Sequence, residues 1–253
     1  MDDSVILEAR KLRKEFGGLI AVNDVDIKIR AGTFHSIIGP NGAGKTTLFN
    51  LLSRTLDPTT GQVFFKGHNI THIPVQRIAH LGIGRSFQIT NIFPNLTAFE
   101  NIRLACQAVG RDNFKMLNLA SDFKAYEEKS WQVIRQVGLS ERAMMVARSL
   151  PHGDQRKLEL GMILAENPEV LLLDEPTAGM AGEQVPEFMA LIKQVQRDGG
   201  KTIVLVEHNM SVVMNASEKI TVMHQGAILA EGTPTEIAAN KEVQSAYLGG
   251  MQW

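Results

Sequence analysis

Residues 39–46 read G-P-N-G-A-G-K-T, with the apolar run Phe34–Ile38 before them and T-L-F-N-L-L behind at 47–52. The segment fits G-x-x-x-x-G-K-[ST], and each fixed position has a chemical reason. Gly39, Gly42 and Gly44 let the backbone take positive φ and turn its N–H groups inward on a polyphosphate. Pro40, Asn41 and Ala43 complete the loop, and Thr47 follows it into the helix. Lys45 brings a mobile point charge to the β- and γ-phosphates, and the Thr46 hydroxyl can ligate Mg²⁺. A buried strand before the loop and a helix through Thr46–Leu52 behind it, its positive end aimed at the anion, are the context the mechanism requires.

Working outward, short apolar β-rich runs alternate with longer helical patterns, which predicts an α/β core with a parallel sheet. Val170–Leu173 and Thr202–Val206 read as further buried strands, with a helix through Gln184–Gln196 between them. Ile220–Met223 and Ala227–Ala230, separated by Gln225-Gly226, predict a late hairpin. Two more strands are expected near Val5–Leu12 and Val25–Ile29. From Thr97 to Ser149 no strand pattern occurs, and Leu104, Val133, Ile134 and Val137 among charged residues predict a helical insertion. The tail from Asn240 reads as a short helix ending at Gly249-Gly250.

Two other segments carry chemistry. V-L-L-L-D-E-P at 170–176 is an apolar strand ending in Asp174, a carboxylate able to hold Mg²⁺ through water, with Glu175 beside it to orient or deprotonate an attacking water. T-I-V-L-V-E at 202–207 delivers His208 to a strand C-terminal end, where open α/β sheets place their ligand sites. Histidines 35, 68, 72, 80, 152 and 224 lack such a setting. His68 and His72 are four apart, but Gly67 and Pro74 argue against a metal-binding helix face there.

Composition narrows the class. The 253 residues carry 26 Lys plus Arg and 27 Asp plus Glu, a net charge of -1 that lacks the basic excess of a nucleic-acid surface. Cys106 is the single cysteine, so an internal disulfide or a cysteine zinc cluster cannot form, and a reducing compartment is expected. The longest apolar runs are strand-sized, well short of the about 20 residues of a spanning helix. The acidic start M-D-D-S-V-I-L-E is unlike a signal peptide. A soluble, cytosolic chain is expected.

Together these residues resemble the ATP-binding subunit of an ABC transporter, and the resemblance runs over nearly the whole chain. Gly39–Thr46 matches the Walker A loop, Leu171–Asp174 the Walker B strand, Glu175 the catalytic glutamate and His208 the switch histidine. Phe16, in K-E-F-G-G, falls where the family stacks a ring on adenine. Gln88, in R-S-F-Q-I-T, matches the glutamine that reaches Mg²⁺ and relays nucleotide state to the membrane partner. Leu150, Pro151, His152, Gly153 and Asp154 align with the signature that opens a helix docking onto the other subunit's ATP. Within the family, E-F-G-G-L-I-A-V at 15–22, D-E-P-T-A-G-M at 174–180 and the ending Tyr247-Leu248-Gly249 are similar to the ATPases of branched-chain amino acid importers and the related urea importers.

The resemblance implies a P-loop NTPase (RecA-like) α/β core at 1–88 and 167–238, with an antiparallel β subdomain. It implies a helical subdomain insertion at 89–166 that carries the signature, and a C-terminal tail at 239–253. It further implies ATP and Mg²⁺ as ligands, and two ATPase subunits, like or unlike, sandwiching two ATP molecules. Transmembrane permease subunits would be the direct partners, on the cytoplasmic face of the membrane, and a solute-binding protein an indirect one. Nucleic acid is not expected as a partner. The stretch Ile89–Ile102 is the expected permease-docking groove, with Ile92-Phe93-Pro94 contributing.

Three departures from the family pattern stand out. Pro151 lacks the usual serine hydroxyl, and Asp154 is expected to add negative charge near a triphosphate. Ala181 replaces the D-loop aspartate, and Asn209 follows His208 where Asp is common. Alternative classes are a soluble ABC-type ATPase serving nucleic acid, a P-loop small-molecule kinase, and a nucleotide-gated assembly subunit. The short insertion and balanced charge argue against the first. The kinase reading leaves Gln88, the signature-like helix and His208 unexplained, and Glu175 argues against the third.

Overall fold

A computed structural model describes residues 5–86, 92–108 and 124–247. The chain opens with a long antiparallel hairpin, β1 (Val5–Phe16) and β2 (Leu19–Arg30), running from Val5 opposite Arg30 to Phe16 opposite Leu19. Both strands outrun their expected lengths because their far ends carry exposed and charged residues, which hide the apolar alternation. β1 also pairs with β4 (Thr60–Phe65), itself joined to β5 (His68–Asn69), giving a four-stranded antiparallel sheet in the order β2-β1-β4-β5. His68 therefore lies on a short hairpin.

The second sheet has six strands in the order β10-β9-β3-β8-β7-β6. β3 (Phe34–Ile38), β6 (Ile83–Arg85), β7 (Val170–Asp174), β8 (Thr202–Val206) and β9 (Lys219–His224) run parallel, and β10 (Ala227–Gly232) closes the edge antiparallel to β9. The strands predicted at 34–38 and 202–206 keep those bounds, and the late hairpin turns at Gln225-Gly226 as expected. β4, β5 and β6 were not expected from the sequence.

Both faces of the parallel sheet are covered, so the central strands β7 and β8 are buried along their whole length and alternate between two cores. Leu171, Leu173, Ile203 and Leu205 join one core, while Val170, Leu172, Val204 and Val206 join the other. The first core takes in α3 (Ala98–Ala108), α4 (Lys124–Gln136), α5 (His152–Ala165) and α6 (Val185–Gly199). The second holds α1 (Lys45–Leu52) and α2 (Val75–Leu81) beneath the antiparallel sheet. A third cluster packs α7 (Met210–Ala216), α8 (Pro234–Ala239) and α9 (Lys241–Tyr247) on Ile38, Ile220 and Val222. The tail helix ends at Tyr247 within the described residues, and Gly249-Gly250 lies outside them. Between Thr97 and Ser149 the described residues form helices and turns, with one isolated bridge between Thr97 and Val146.

Candidate nucleotide site

The C-terminal ends of the parallel strands bring the site together. β3 runs into the 39–46 loop, β7 ends at Asp174, β8 leads through Glu207 to His208, and β6 leads to Ser86. Gln88 lies outside the described residues, but Ser86 is fixed two residues earlier: its Oγ accepts a 3.0 Å hydrogen bond from the Asp174 backbone N–H.

The loop is shaped by its neighbours. At Gly44, φ is 96° and a Cβ would stand 2.3 Å from the Ala21 carbonyl oxygen on β2, so only glycine fits. At Gly39 a Cβ would meet the Met223 carbonyl at the same distance. Gly226, in the β9–β10 turn, donates to the Ala43 carbonyl at 3.0 Å, and Asn23 of β2 donates to the Gly226 carbonyl at 2.8 Å. From the third cluster, Tyr247 of α9 hydrogen-bonds the backbone of Gly39, while burial pushes its phenol above its ordinary pKa. Loop, hairpin, late turn and C-terminal helix thus form one support.

α1 begins at Lys45 with Gly44 as N-cap, and its first turn has neither a side-chain cap nor an acidic residue. Its free N–H groups and dipole suit an anion. Lys45 is buried, and its Nζ donates to the carbonyls of Gly39 at 2.7 Å and Pro40 at 3.1 Å. Burial lowers its pKa, and Glu175 and then Asp174 oppose that. Thr46 is exposed. Phe16, at the end of β1, is 48% exposed and sits three positions before the β2 residue Leu19 it pairs with. It is therefore on the same hairpin whose Ala21 touches Gly44.

Asp174 is 2% exposed, yet neither carboxylate oxygen has a hydrogen-bond partner. Burial, followed by the charge of Glu175, raises its pKa from 3.8 to about 6; Arg85 and Lys45 oppose the rise, and Glu207 adds to it. A buried carboxylate with unpartnered oxygens, at a strand end of the sheet that also delivers the exposed Thr46, fits a hard cation that shares its coordination with phosphate and water. Among the described residues no group of three His, Cys, Asp or Glu could hold a metal by itself.

Glu175 has φ 46°, an unusual conformation for a residue with a side chain, stabilised as its N–H donates to the Val206 carbonyl at 2.8 Å. This turn aims its carboxylate toward His208, whose Nδ1 lies 3.6 Å from Oε1. Glu207, absent from the sequence reading, is buried behind the pair. Its Oε1 accepts from the backbone N–H of Thr177 at 3.3 Å and from the Thr177 hydroxyl, and its Oε2 from the N–H groups of His208 at 3.1 Å and Asn209 at 3.3 Å. Asn209 caps α7 through its side chain.

The signature-like residues lie apart from this cluster, at the start of α5. Leu150 and Gly153 are buried; Pro151 is the exposed N-cap, and His152 is exposed. Gln184 lies over Gly153, and the His152 ring lies beside Gly179, so the helix start rests on the segment after Glu175. Arg156 donates to the Ala178 carbonyl at 3.3 Å and pairs with Glu159. The buried Asp154 carboxylate pairs with Arg142, and Lys157 lies 3.8 Å away. Two cations of the same chain therefore face its charge.

An anion-binding loop, a dry cation-ready carboxylate and a paired Glu–His at the ends of one parallel sheet define a P-loop nucleotide hydrolase. Residues 22–178 match the ABC transporter family, and residues 227–251 match the description branched-chain amino acid ATP-binding cassette transporter. The chain belongs to the ABC transporter family and is an ATPase. It is 39% identical over 249 residues to the high-affinity branched-chain amino acid transport ATP-binding protein BraF of Pseudomonas aeruginosa, covering 96% of this chain and 98% of that one. It is 38% identical over 251 residues to LivG of Escherichia coli K12, a protein of the same description, with the same coverage. LptB of the same organism, a lipopolysaccharide export system ATP-binding protein, is 30% identical over 243 residues, covering 96% of this chain and 97% of that one. Among solved structures, an ATP-binding cassette of an ABC transporter in its ADP conformation has a TM-score of 0.84 at 26% identity over 98% of this chain and 100% of that one. A dimeric cassette in a post-hydrolysis state, bound to ADP and Pi, has 0.77 at 25% identity over 90% and 99%.

Proposed function

We propose that this chain is the ATP-hydrolysing subunit that energises an importer of branched-chain amino acids. The observation that carries the reading is near-full-length identity of 38–39% to transport ATP-binding proteins of that description, joined to the gathering of the 39–46 loop, Asp174, Glu175 and His208 at one end of the parallel sheet. In this reading the 39–46 loop and α1 bind the phosphates, with Lys45 leaving its two loop carbonyls for the β- and γ-oxygens. Phe16 stacks on the adenine. Thr46, Asp174 and Gln88 would hold Mg²⁺, which supplies charge neutralisation at the leaving phosphates when bound. Glu175 orients the attacking water and takes its proton, and His208 contacts the γ-phosphate.

Two such chains, or this chain and a related one, close on two ATP molecules, each offering Leu150–Asp154 to the partner's site. The stretch 89–166 acts as the helical subdomain against the core at 1–88 and 167–238, and 239–253 as the tail. A groove of about 430 Å³ bordered by Arg85, Ile92, Phe93, Leu104, Met162 and Ile163 supports docking of a permease element there, since apolar residues dominate its wall. Among the described residues no helix is long and apolar enough to cross a membrane, which fits a peripheral subunit on the cytoplasmic face.

Reconstitution with the co-purified permease in proteoliposomes tests the reading. ATP-dependent uptake of labelled leucine, isoleucine or valine, delivered by a cognate solute-binding protein, is expected. Uptake of urea alone would move the chain to the related importer branch, and turnover indifferent to any solute-loaded binding protein would overturn the importer reading.

A further inference from the structure

We infer that Glu207 is a positioning residue for hydrolysis, the single buried side chain that locks the turn carrying Glu175 to the turn carrying His208. The inference rests on the hydrolytic reading above. A carboxylate taken from water is costly unless its lone pairs are met. Here the two oxygens meet four donors on two different turns: Thr177 N–H and hydroxyl on one side, His208 and Asn209 N–H on the other. The arrangement is specific to an acceptor on both oxygens. An amide in its place would turn an N–H₂ group toward one pair of donors, and an apolar residue would leave all four unmet.

The two turns need such a link. Glu175 is held in a left-handed conformation, and Pro176 after it has no N–H to offer. A backbone bond between the turns runs from the Glu175 N–H to the Val206 carbonyl at 2.8 Å. Thr177 supplies the next anchor, and its N–H and hydroxyl reach the second turn through Glu207. The 3.6 Å separation of His208 and Glu175 is thus tied to a residue that is itself buried from solvent. Glu207 makes its hydrogen bonds to the turns of the reacting pair, and its charge reaches Asp174 only as the last of several influences there, so its loss should appear mainly in turnover and little in nucleotide affinity.

The test compares Glu207→Gln, Thr177→Val, the double variant and Glu175→Gln in the full chain, alone or with its permease, by steady-state ATPase assay and nucleotide-binding titration. Glu207→Gln should lower kcat by about 10- to 100-fold, the scale of a small misplacement of reacting groups, with KM and Kd for ATP within about twofold of the parent. Thr177→Val should give part of that loss, and the double variant no more than Glu207→Gln alone, since both cut one link. A kcat within about twofold of the parent for Glu207→Gln, beside an inactive Glu175→Gln, would overturn the inference, as would a loss confined to KM. Should Glu207→Gln lack a cooperative unfolding transition, Thr177→Val decides: unchanged turnover there overturns the inference equally. Full turnover by Glu175→Gln would instead remove the hydrolytic reading itself.

Discussion

His208 Nδ1 stands 3.6 Å from Glu175 Oε1, across two turns that leave adjacent strands of one parallel sheet. The arrangement leaves both side chains partly open to a ligand. Glu175→Gln keeps the shape and removes the proton acceptor. ATP binding should persist while hydrolysis slows by roughly 10²–10⁴-fold. Single-turnover kinetics with labelled ATP measure this, and near-normal turnover would refute the role.

Burial of the Asp174 carboxylate costs stability. Its raised pKa, about 6 against 3.8, means that the folded chain binds a proton the unfolded chain releases, so stability falls as pH rises across that window and stays lower at neutral pH. Asp174→Asn should therefore raise the thermal midpoint of the nucleotide-free protein at pH 7.5 by roughly 2–6 °C, and by less at pH 5. Calorimetry at the two pH values checks the difference. The same variant should lose metal-dependent hydrolysis.

His35 is a second pH-sensitive group, remote from the chemistry. It is 1% exposed, and its Nε2 lies 2.7 Å from the Thr221 hydroxyl, which itself donates to Glu231. Burial lowers its pKa from 6.5 to about 4, with Glu231 opposing and Lys219 reinforcing. The unfolded chain then takes up the proton first as pH falls, so stability present above about pH 6.5 is lost toward pH 4. Between pH 7 and pH 5 the loss is roughly 2 kcal/mol. His35→Gln should flatten that slope in urea titrations, and an unchanged slope would exclude His35 as its source.

Pro151 opens α5 without any side-chain cap, although its carbonyl already accepts the Asp154 N–H at 2.9 Å. A serine there can cap the helix, an effect of about 1 kcal/mol, and can present its hydroxyl to a facing phosphate. Pro151→Ser combined with Glu175→Gln should tighten ATP-driven dimerisation, read by analytical ultracentrifugation. An unchanged dimer constant would show Pro151 to be neutral.

Much of this was legible before any coordinates because it is local. The loop at 39–46, the strands at 34–38 and 202–206 and the turn at Gln225-Gly226 each declare themselves within a few residues. β6 did not: three residues, I-G-R, hold too little periodicity, and they form a strand only because β7 lies alongside. Glu207 was passed over as the polar end of a strand, since its partner Thr177 is thirty positions away. Arg142 likewise could not be assigned to Asp154 from spacing. Charge balance and anchoring are properties of the folded neighbourhood, and they escape a reading confined to windows.

The bond from Tyr247 to the backbone of Gly39 joins an early segment of the chain to a late one. During synthesis the phosphate loop leaves the ribosome long before Met223, Gly226 and Tyr247 exist to shape it. Contacts so distant in sequence form late in folding. The folded shape of the phosphate loop is therefore completed by residues made much later than the loop itself, Met223, Gly226 and Tyr247.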